Sequence, residues 1–409
     1  MWSLTKLEGT SLNIAITCAS GAGFMLFGYD QGFFGGILTN TAFLNEFNNP
    51  GATMRGQIVA LYDVGCMMGC LVSMYYGDML GRKPETAEAS RRGALIVFQL
   101  VMNIGGISLT NWMNYGFTFI PGTEVSWRFP IAFQIFFALV TVSLVWFLPE
   151  SPRWLVQRGR TDEASVIIAR LRAKPTHDPN VLAEIQMLDA AVALEMEEQH
   201  GVTVKEIFSG GKQQTLRRIL LGMGTQFMQQ MGGTNVVATY LPVVLTASFS
   251  LSARVALIVS ATVSIWLMIW GAMCALVIDS VGRRKLMLYG AAAESICFAL
   301  IAAGLAVNTN PTLIMAIAFI YLYYTAYGLS FLSIPFIYPA EINSQRMRNT
   351  GTSWSTMTNW ALAYLVISVT PVGIQNIGWK YYLIYAITNA VFVPLVYFFY
   401  VETKKPSLE

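Results

Sequence analysis

Three amides, Gln229, Gln230 and Asn235, fall at i, i+1 and i+6 inside one apolar stretch. Amides are expensive to bury in lipid, so they face a bundle interior or a wet cavity. Each offers donors and an acceptor, which suits hydroxyl groups; the competing use is hydrogen-bonded glue between helices. Asp30 reads as the one acidic residue deep inside another apolar stretch. A carboxylate there is costly unless paired or protonated, and the apolar stretches carry Arg and Lys only at their ends, so Asp30 reads as unpaired. The expectation is a protonated Asp30 at neutral pH unless water reaches it.

A second chemistry is ionic and occurs twice. Asp78-Met79-Leu80-Gly81-Arg82-Lys83 recurs as Asp279-Ser280-Val281-Gly282-Arg283-Arg284. Glu85, seven residues ahead of Arg92, recurs as Glu341, seven ahead of Arg348, and Glu150 recurs as Glu402. In such a turn Gly supplies a permissive backbone, Asp can face a helix N-terminus, and the basic pair can bind carboxylates of neighbouring helices. Such contacts would latch the cytoplasmic face closed in one state and release it in another; the competing use is a positive-inside anchor, and two copies at matching positions favour the latch. The copies differ in one gap: Asp279 to Glu341 is 62 residues, but Asp78 to Glu85 is only 7. About 55 residues are thus missing from the first copy, two helices of about 20 residues with loops.

These residues need elements that hold them in a membrane. The chain of 409 residues is 55% hydrophobic and 12% charged, too apolar for an ordinary soluble protein. Its apolar runs have bilayer-crossing length, at 11–38, 57–77, 93–116, 129–148, 216–247, 253–277, 285–306, 311–338, 352–373 and 379–400. All ten must be helical, because lipid offers no partner for unpaired backbone groups. With both termini inside, only Arg55, Arg128, Arg254 and Lys380 of the 26 Lys and Arg lie outside, the positive-inside pattern. The net charge of +3 therefore reflects topology, with no basic nucleic-acid face. Residues 1–10 leave no room for a cleaved signal peptide. Cys18, Cys66, Cys70, Cys274 and Cys297 lie in apolar runs at uneven spacing and read as buried packing thiols. His177 and His200 lie far apart in a polar stretch, and no catalytic, metal or phosphate-binding pattern appears at usable spacing. Neither enzymatic activity nor a cofactor is expected.

The ordered motifs resemble those of the sugar porter family of the major facilitator superfamily, close to its fungal-type hexose branch. They are Phe27-Gly28-Tyr29-Asp30-Gln31-Gly32, the two Asp-to-basic turns, Pro149-Glu150-Ser151-Pro152-Arg153-Trp154, Gln229 to Asn235, Tyr338-Pro339-Ala340-Glu341-Ile342 with Arg346, Arg348 and Gly351, Asn359-Trp360, and Val401-Glu402-Thr403-Lys404. The resemblance covers nearly the whole chain. It implies an all-α membrane protein of the major facilitator fold with about ten transmembrane helices instead of twelve, family helices 3 and 4 being absent. The halves would be an incomplete bundle at 1–148, a cytosolic helical linker at 149–215, a complete six-span bundle at 216–400, and a tail at 401–409.

The resemblance also implies roles. Gln99, Gln229, Gln230, Asn235, Tyr240, Phe336, Asn359 and Trp360 would contact a sugar, with Trp360 stacked on its ring and Asn359 beside it. Phe336 stands where the family commonly has Trp, and Thr239-Tyr240 where an aromatic pair is usual. Asp30 would couple transport to a proton. Asp78, Arg82, Glu85, Arg92, Glu150, Arg153, Asp279, Arg283, Glu341, Arg348 and Glu402 would form the cytoplasmic latch. The implied function is hexose transport with proton symport by alternating access around a midplane site, in the plasma membrane, with transport in this short form reduced or absent. Its partners would be a monosaccharide, H+ and the bilayer. The alternatives are a non-transporting sugar receptor, or a splice or gene-model product of a twelve-span transporter.

Overall fold

Apolar runs become long helices because each helix satisfies its own backbone polar groups. The computed structural model describes residues 7–80, 92–198, 214–344 and 347–404, with side chains outside 73–97 and 194–198. Among these residues there is no strand. The first half contains α1 (Gly9–Ile37), α2 (Thr41–Glu46), α3 (Ala52–Leu80), α4 (Arg92–Phe117) and α5 (Val125–Phe147). A polar connection carries α6 (Pro152–Gln157), α7 (Thr161–Arg172) and α8 (Pro179–Glu198). The second half contains α9 (Thr215–Met231), α10 (Thr234–Ala238), α11 (Leu241–Ala247), α12 (Ala253–Val281), α13 (Arg283–Val307), α14 (Asn310–Leu329), α15 (Ile334–Ile342), α16 (Arg348–Ile377) and α17 (Lys380–Phe399). Seven of the segments are long and apolar enough to cross a membrane: α1, α5, α12, α13, α14 through α15, α16 and α17. The remaining three expected spans, α3, α4 and α9–α11, are helical as well.

Two spans expected to be continuous are broken. The stretch 216–247 divides into α9, α10 and α11, because Gly232-Gly233 interrupts it and Gly233 adopts φ +92°, a conformation that L side chains avoid. The stretch 311–338 stops at Leu329 and resumes at Ile334, where Pro335 stands in the first turn. Proline lacks the N–H that would continue the ladder, so it is best placed at a helix start.

The halves meet along paired helices. In the first half α1 packs on α4 and α5, and Gly28 lies so close to the backbone of Asn103 that no side chain would fit. The Tyr29 hydroxyl donates to the Pro130 carbonyl of α5 at 2.7 Å. In the second half α13 lies between α14 and α17, and α9 packs against α15 and α16. Across the halves α4 packs on α12, where Asn111 donates to Ser264 at 3.0 Å.

The helix α3 is attached differently. Its extensive contact is with α16 of the opposite half, and no helix of its own half packs extensively on it among the described residues. Tyr364 on α16 donates to Gln57 Oε1 at 2.9 Å, and Gly56 lies against the Ser368 backbone. Met54, Leu61, Met68 and Val72 of α3 are exposed, an apolar surface compatible only with lipid or another helix.

The connection is solvated helix. Asp162 and Glu163 open α7 and Arg170 and Arg172 close it, each complementing the helix dipole. Arg172 pairs with Glu184 at 3.1 Å, tying α7 to α8, and Arg170 donates to the Leu7 carbonyl at 3.2 Å at the foot of α1.

Candidate functional site

Helical spacing puts Gln226, Gln229 and Gln230 on one face of α9 at i, i+3 and i+4. All three are buried there, facing α15 and α16. Asn359 of α16 donates to Gln226 Oε1 at 2.5 Å and to Gln229 Oε1 at 2.7 Å. Gln226 in turn donates to the Pro335 carbonyl at 2.7 Å, and Gln229 to the Phe331 carbonyl at 2.7 Å. These carbonyls lie where α14 gives way to α15, so the amides fill acceptors that the interrupted helix leaves over. Gln230 accepts from Asn235 at 2.6 Å across the Gly232-Gly233 break. Four of the five predicted amides therefore form two pairs, Gln229 with Asn359 and Gln230 with Asn235. Gln226 belongs with them and was missed, although its place three residues before Gln229 is a helical-face signal.

Next to Asn359 in sequence, Trp360 joins aromatic residues from three helices. Trp360 of α16 meets Phe27 of α1 at 5.5 Å, edge to face, and Tyr62 of α3 at 6.4 Å. Phe27 and Tyr62 approach each other at 6.5 Å, which closes the triad. Trp360 is half-buried, with these rings against it. Tyr240 is buried and spends its hydroxyl on the Ile367 carbonyl at 3.0 Å. Phe336 is 39% exposed, so it stands outside the buried amide group. Gln99 of α4 donates to Ser20 of α1 at 2.7 Å, within the first half and apart from the others. A cavity of about 610 Å³ lies towards the helix ends, lined by Arg55, Tyr240, Asn308, Pro371, Gln375 and Trp379 among others. Of the predicted sugar-contact residues only Tyr240 lines it.

Asp30 is half-buried on α1, and its Oδ1 has no hydrogen-bond partner. The sequence reading of Asp30 as the only acidic residue inside a span is corrected here. Asp63 lies on α3 at 3% exposure, with Oδ2 also unpartnered, and Glu294 lies on α13 at 1% exposure. Both stand within stretches read as spans, and that alone could have found them.

The ionic residues of the second half assemble into one cluster. Arg283 contacts Asp279 at 2.7 Å and Glu341 at 2.8 Å through its two terminal nitrogens. Glu402 accepts the backbone N–H of Arg283 at 2.8 Å and that of Arg284 at 3.2 Å. The residue facing the helix N-terminus is thus Glu402 and not Asp279, which instead sits one turn below Arg283. Gly282 makes this possible: its φ is +100°, and the Glu402 carboxylate occupies the place a Cβ would take. Thr403 donates to the other Glu341 oxygen at 2.6 Å, so the tail beyond α17 is bound into the same group. Arg348 donates to the Ala340 carbonyl at 3.0 Å and not to a carboxylate. In the first half Glu150 stands near Arg160, and Arg153 opens α6. Arg82 and Glu85 lie outside the described residues, as do the side chains of Asp78 and Arg92.

Comparison with known proteins places this geometry. The family model described as Sugar (and other) transporter matches residues 15–86 and 84–409. The match divides at the position where the unequal repeat locates the missing helices. The chain is 36% identical to MFS-type transporter oryC of Aspergillus oryzae, over 98% of this chain and 85% of that protein. It is 31% identical to sugar transporter STL1 of Saccharomyces cerevisiae, over 100% of this chain and 81% of that protein. The first alignment runs over 461 positions against a chain of 409, leaving at least 52 positions unmatched here, the size of the shortfall read from spacing. Among solved structures, the partially occluded inward-open xylose transporter XylE from E. coli superimposes with a TM-score of 0.78. It is 20% identical and covers 98% of this chain and 100% of that one, a likeness of fold. The chain is an all-α membrane protein of the major facilitator fold and belongs to the Sugar (and other) transporter family.

Proposed function

We infer that the chain is built to carry a monosaccharide, a hexose, across a membrane, and that in this form it binds sugar while transport is reduced or lost. The observation that carries the reading is the amide face of α9, Gln226, Gln229 and Gln230, set against Asn359 and Trp360 of α16. Amides that now bond each other can exchange those partners for ring hydroxyls with little net change in hydrogen bonding. Trp360 would turn a face to the sugar once Phe27 or Tyr62 moves aside. The relatives' names support the substrate class: STL1 is called a sugar transporter.

Coupling would run through Asp30, whose free Oδ1 can hold a proton in one state and release it to water in the other. The second-half cluster of Asp279, Arg283, Glu341 and Glu402 would be one side of the cytoplasmic latch, with Asp78, Arg82, Glu85, Arg92, Glu150 and Arg153 forming the other. The organisation is then an incomplete bundle at 1–148, a cytosolic linker at 149–215 and a complete bundle at 216–400, both termini cytoplasmic, at the plasma membrane.

Impaired transport follows from the attachment of α3. Alternating access moves one half against the other as rigid bodies. A helix of the first half that packs chiefly on the second cannot move with its own half. The test is paired: binding of radiolabelled hexoses to the purified 409-residue chain, and their uptake by cells lacking hexose transporters, with and without a pH gradient. Saturable binding without uptake is expected. Proton-coupled uptake would refute the impairment, and absence of binding to any hexose would refute the substrate class.

A further inference from the structure

The break between α9 and α10 frees backbone carbonyls, and α14 and α17 take them up. Thr388 donates to the Met231 carbonyl at 2.9 Å. The Gly232 carbonyl accepts from Asn389 Nδ2 at 3.1 Å and from the Tyr323 hydroxyl at 3.4 Å. Asn389 Nδ2 also donates to the Tyr385 carbonyl at 2.9 Å. Both hydrogens of this amide are therefore spent on carbonyls, which fixes its orientation. The reversed amide would aim an acceptor at two acceptors.

Asn389 Oδ1 is left fully buried and without a donor. The Glu294 carboxyl lies on the same side of Gly232: a Cβ placed on Gly232 would lie 3.3 Å from Asn389 Oδ1 and 3.3 Å from Glu294 Oε2, so the two oxygens are within 6.6 Å of each other. Glu294 is itself 1% exposed. Its Oε1 has the Ser330 hydroxyl at 3.4 Å, but that hydroxyl is closer to the Ala326 carbonyl at 2.6 Å. The other titratable groups that interact with Glu294 are Cys297 of its own helix and Tyr323 and Tyr327 of α14; none is a cation. Among the described residues, an ionised carboxylate here would be a buried charge with no counter-ion and one weak donor, near an amide oxygen. A carboxyl that keeps its hydrogen satisfies both groups.

We propose that Glu294 and Asn389 form a proton-binding site, in which the Glu294 carboxyl donates its hydrogen to Asn389 Oδ1 and clamps α13 and α17 onto the helix break. The break separates Gln229 and Gln230 from Asn235, so the clamp sets the spacing of the amide face. Removing the proton places a negative charge against Asn389 Oδ1, withdraws Asn389 from the Gly232 carbonyl and loosens the break. The site does not depend on which solute the protein carries, and its test uses no solute.

The experiment compares the full-length chain with Glu294→Gln and Glu294→Ala in lipid nanodiscs, by infrared spectroscopy of the carboxyl region and by thermal unfolding in sodium-free buffer. At neutral pH, Glu294→Gln is expected to lose the protonated-carboxyl intensity of one residue. It should keep the wild-type unfolding temperature, since its amide supplies the same hydrogen, whereas Glu294→Ala unfolds several degrees lower. An unchanged protonated-carboxyl band in Glu294→Gln overturns the proposal, because Glu294 is then ionised. Stabilisation of the wild type by added sodium that vanishes in Glu294→Gln overturns it in favour of a metal cation. If Glu294→Ala does not fold, the band in Glu294→Gln still decides.

Discussion

Glu402 accepts the backbone N–H of Arg283 at 2.8 Å while the Arg283 side chain turns away to Glu341, so one residue answers two carboxylates on two different segments. The arrangement joins the start of α13, the end of α15 and the tail after α17. Replacing Glu402 by Ala removes a helix cap, a loss of about 0.5–2 kcal/mol. Glu402→Gln should lose less, because an amide oxygen still accepts the N–H. Thermal unfolding of the two variants checks the order; equal losses would mean that charge, and not capping, governs the site.

Gly282→Ala tests the same corner through the backbone. The substitution meets a φ of +100° and the Glu402 carboxylate at once. Strained φ/ψ values of this kind cost about 1–3 kcal/mol each. Gly282→Ala and Glu402→Ala should be strongly non-additive, since the first already expels the carboxylate. A double-mutant cycle on unfolding free energy that comes out additive would contradict the geometry.

Asn359→Ala leaves two buried acceptors, Gln226 Oε1 and Gln229 Oε1, without a donor. Unsatisfied buried groups cost about 1–3 kcal/mol each. The variant should be less stable without sugar, and added hexose should restore part of the difference if ring hydroxyls replace the lost amide. Differential scanning fluorimetry with and without hexose reads both effects. Destabilisation that hexose does not relieve would assign Asn359 to helix glue alone.

These amides show how far the sequence was readable. Their cost in a membrane pointed to one interior face, and the apolar runs and charged repeats gave the helical membrane fold and the missing pair. Who bonds to whom was not readable, because Asn359 meets Gln226 and Gln229 from 133 and 130 residues away. The interruptions at Gly232-Gly233 and near Pro335 were visible as residues, but a hydropathy run averages over them. Asp63 and Glu294 were visible too, as acidic residues within apolar runs. That Glu402 displaces Asp279 from the helix start depends on where the chain after α17 returns, which no local pattern encodes.

Asp30→Asn replaces an acid whose Oδ1 has no partner with a neutral amide. Unfolding temperature should stay level or rise, since no favourable ion pair is lost. Hexose binding by the variant should lose its pH dependence. A pH profile identical to that of the wild type would remove Asp30 from the coupling role.

In the linker, Asp178 accepts the Asn180 backbone N–H at 2.9 Å at the start of α8. That bond, with Lys174 alongside, holds its carboxyl below the usual carboxylate range. A lowered folded-state value stabilises the helix start above the ordinary range, and the gain is lost as pH falls through the lowered value. Amide exchange in the first turn of α8 should therefore quicken in acid, beyond the intrinsic pH effect, and Asp178→Ala should abolish that excess. Equal pH profiles would exclude the cap.

The attachment of α3 to α16 has a consequence for biogenesis. Met54 and Leu61 enter the bilayer early, while Ser368 and Tyr364, which receive α3, are synthesised some three hundred residues later. During that interval α3 is a lone helix in lipid, open to capture by membrane quality-control factors that recognise unassembled spans. For this chain the step most exposed to failure is a late one, the docking of α3 on α16.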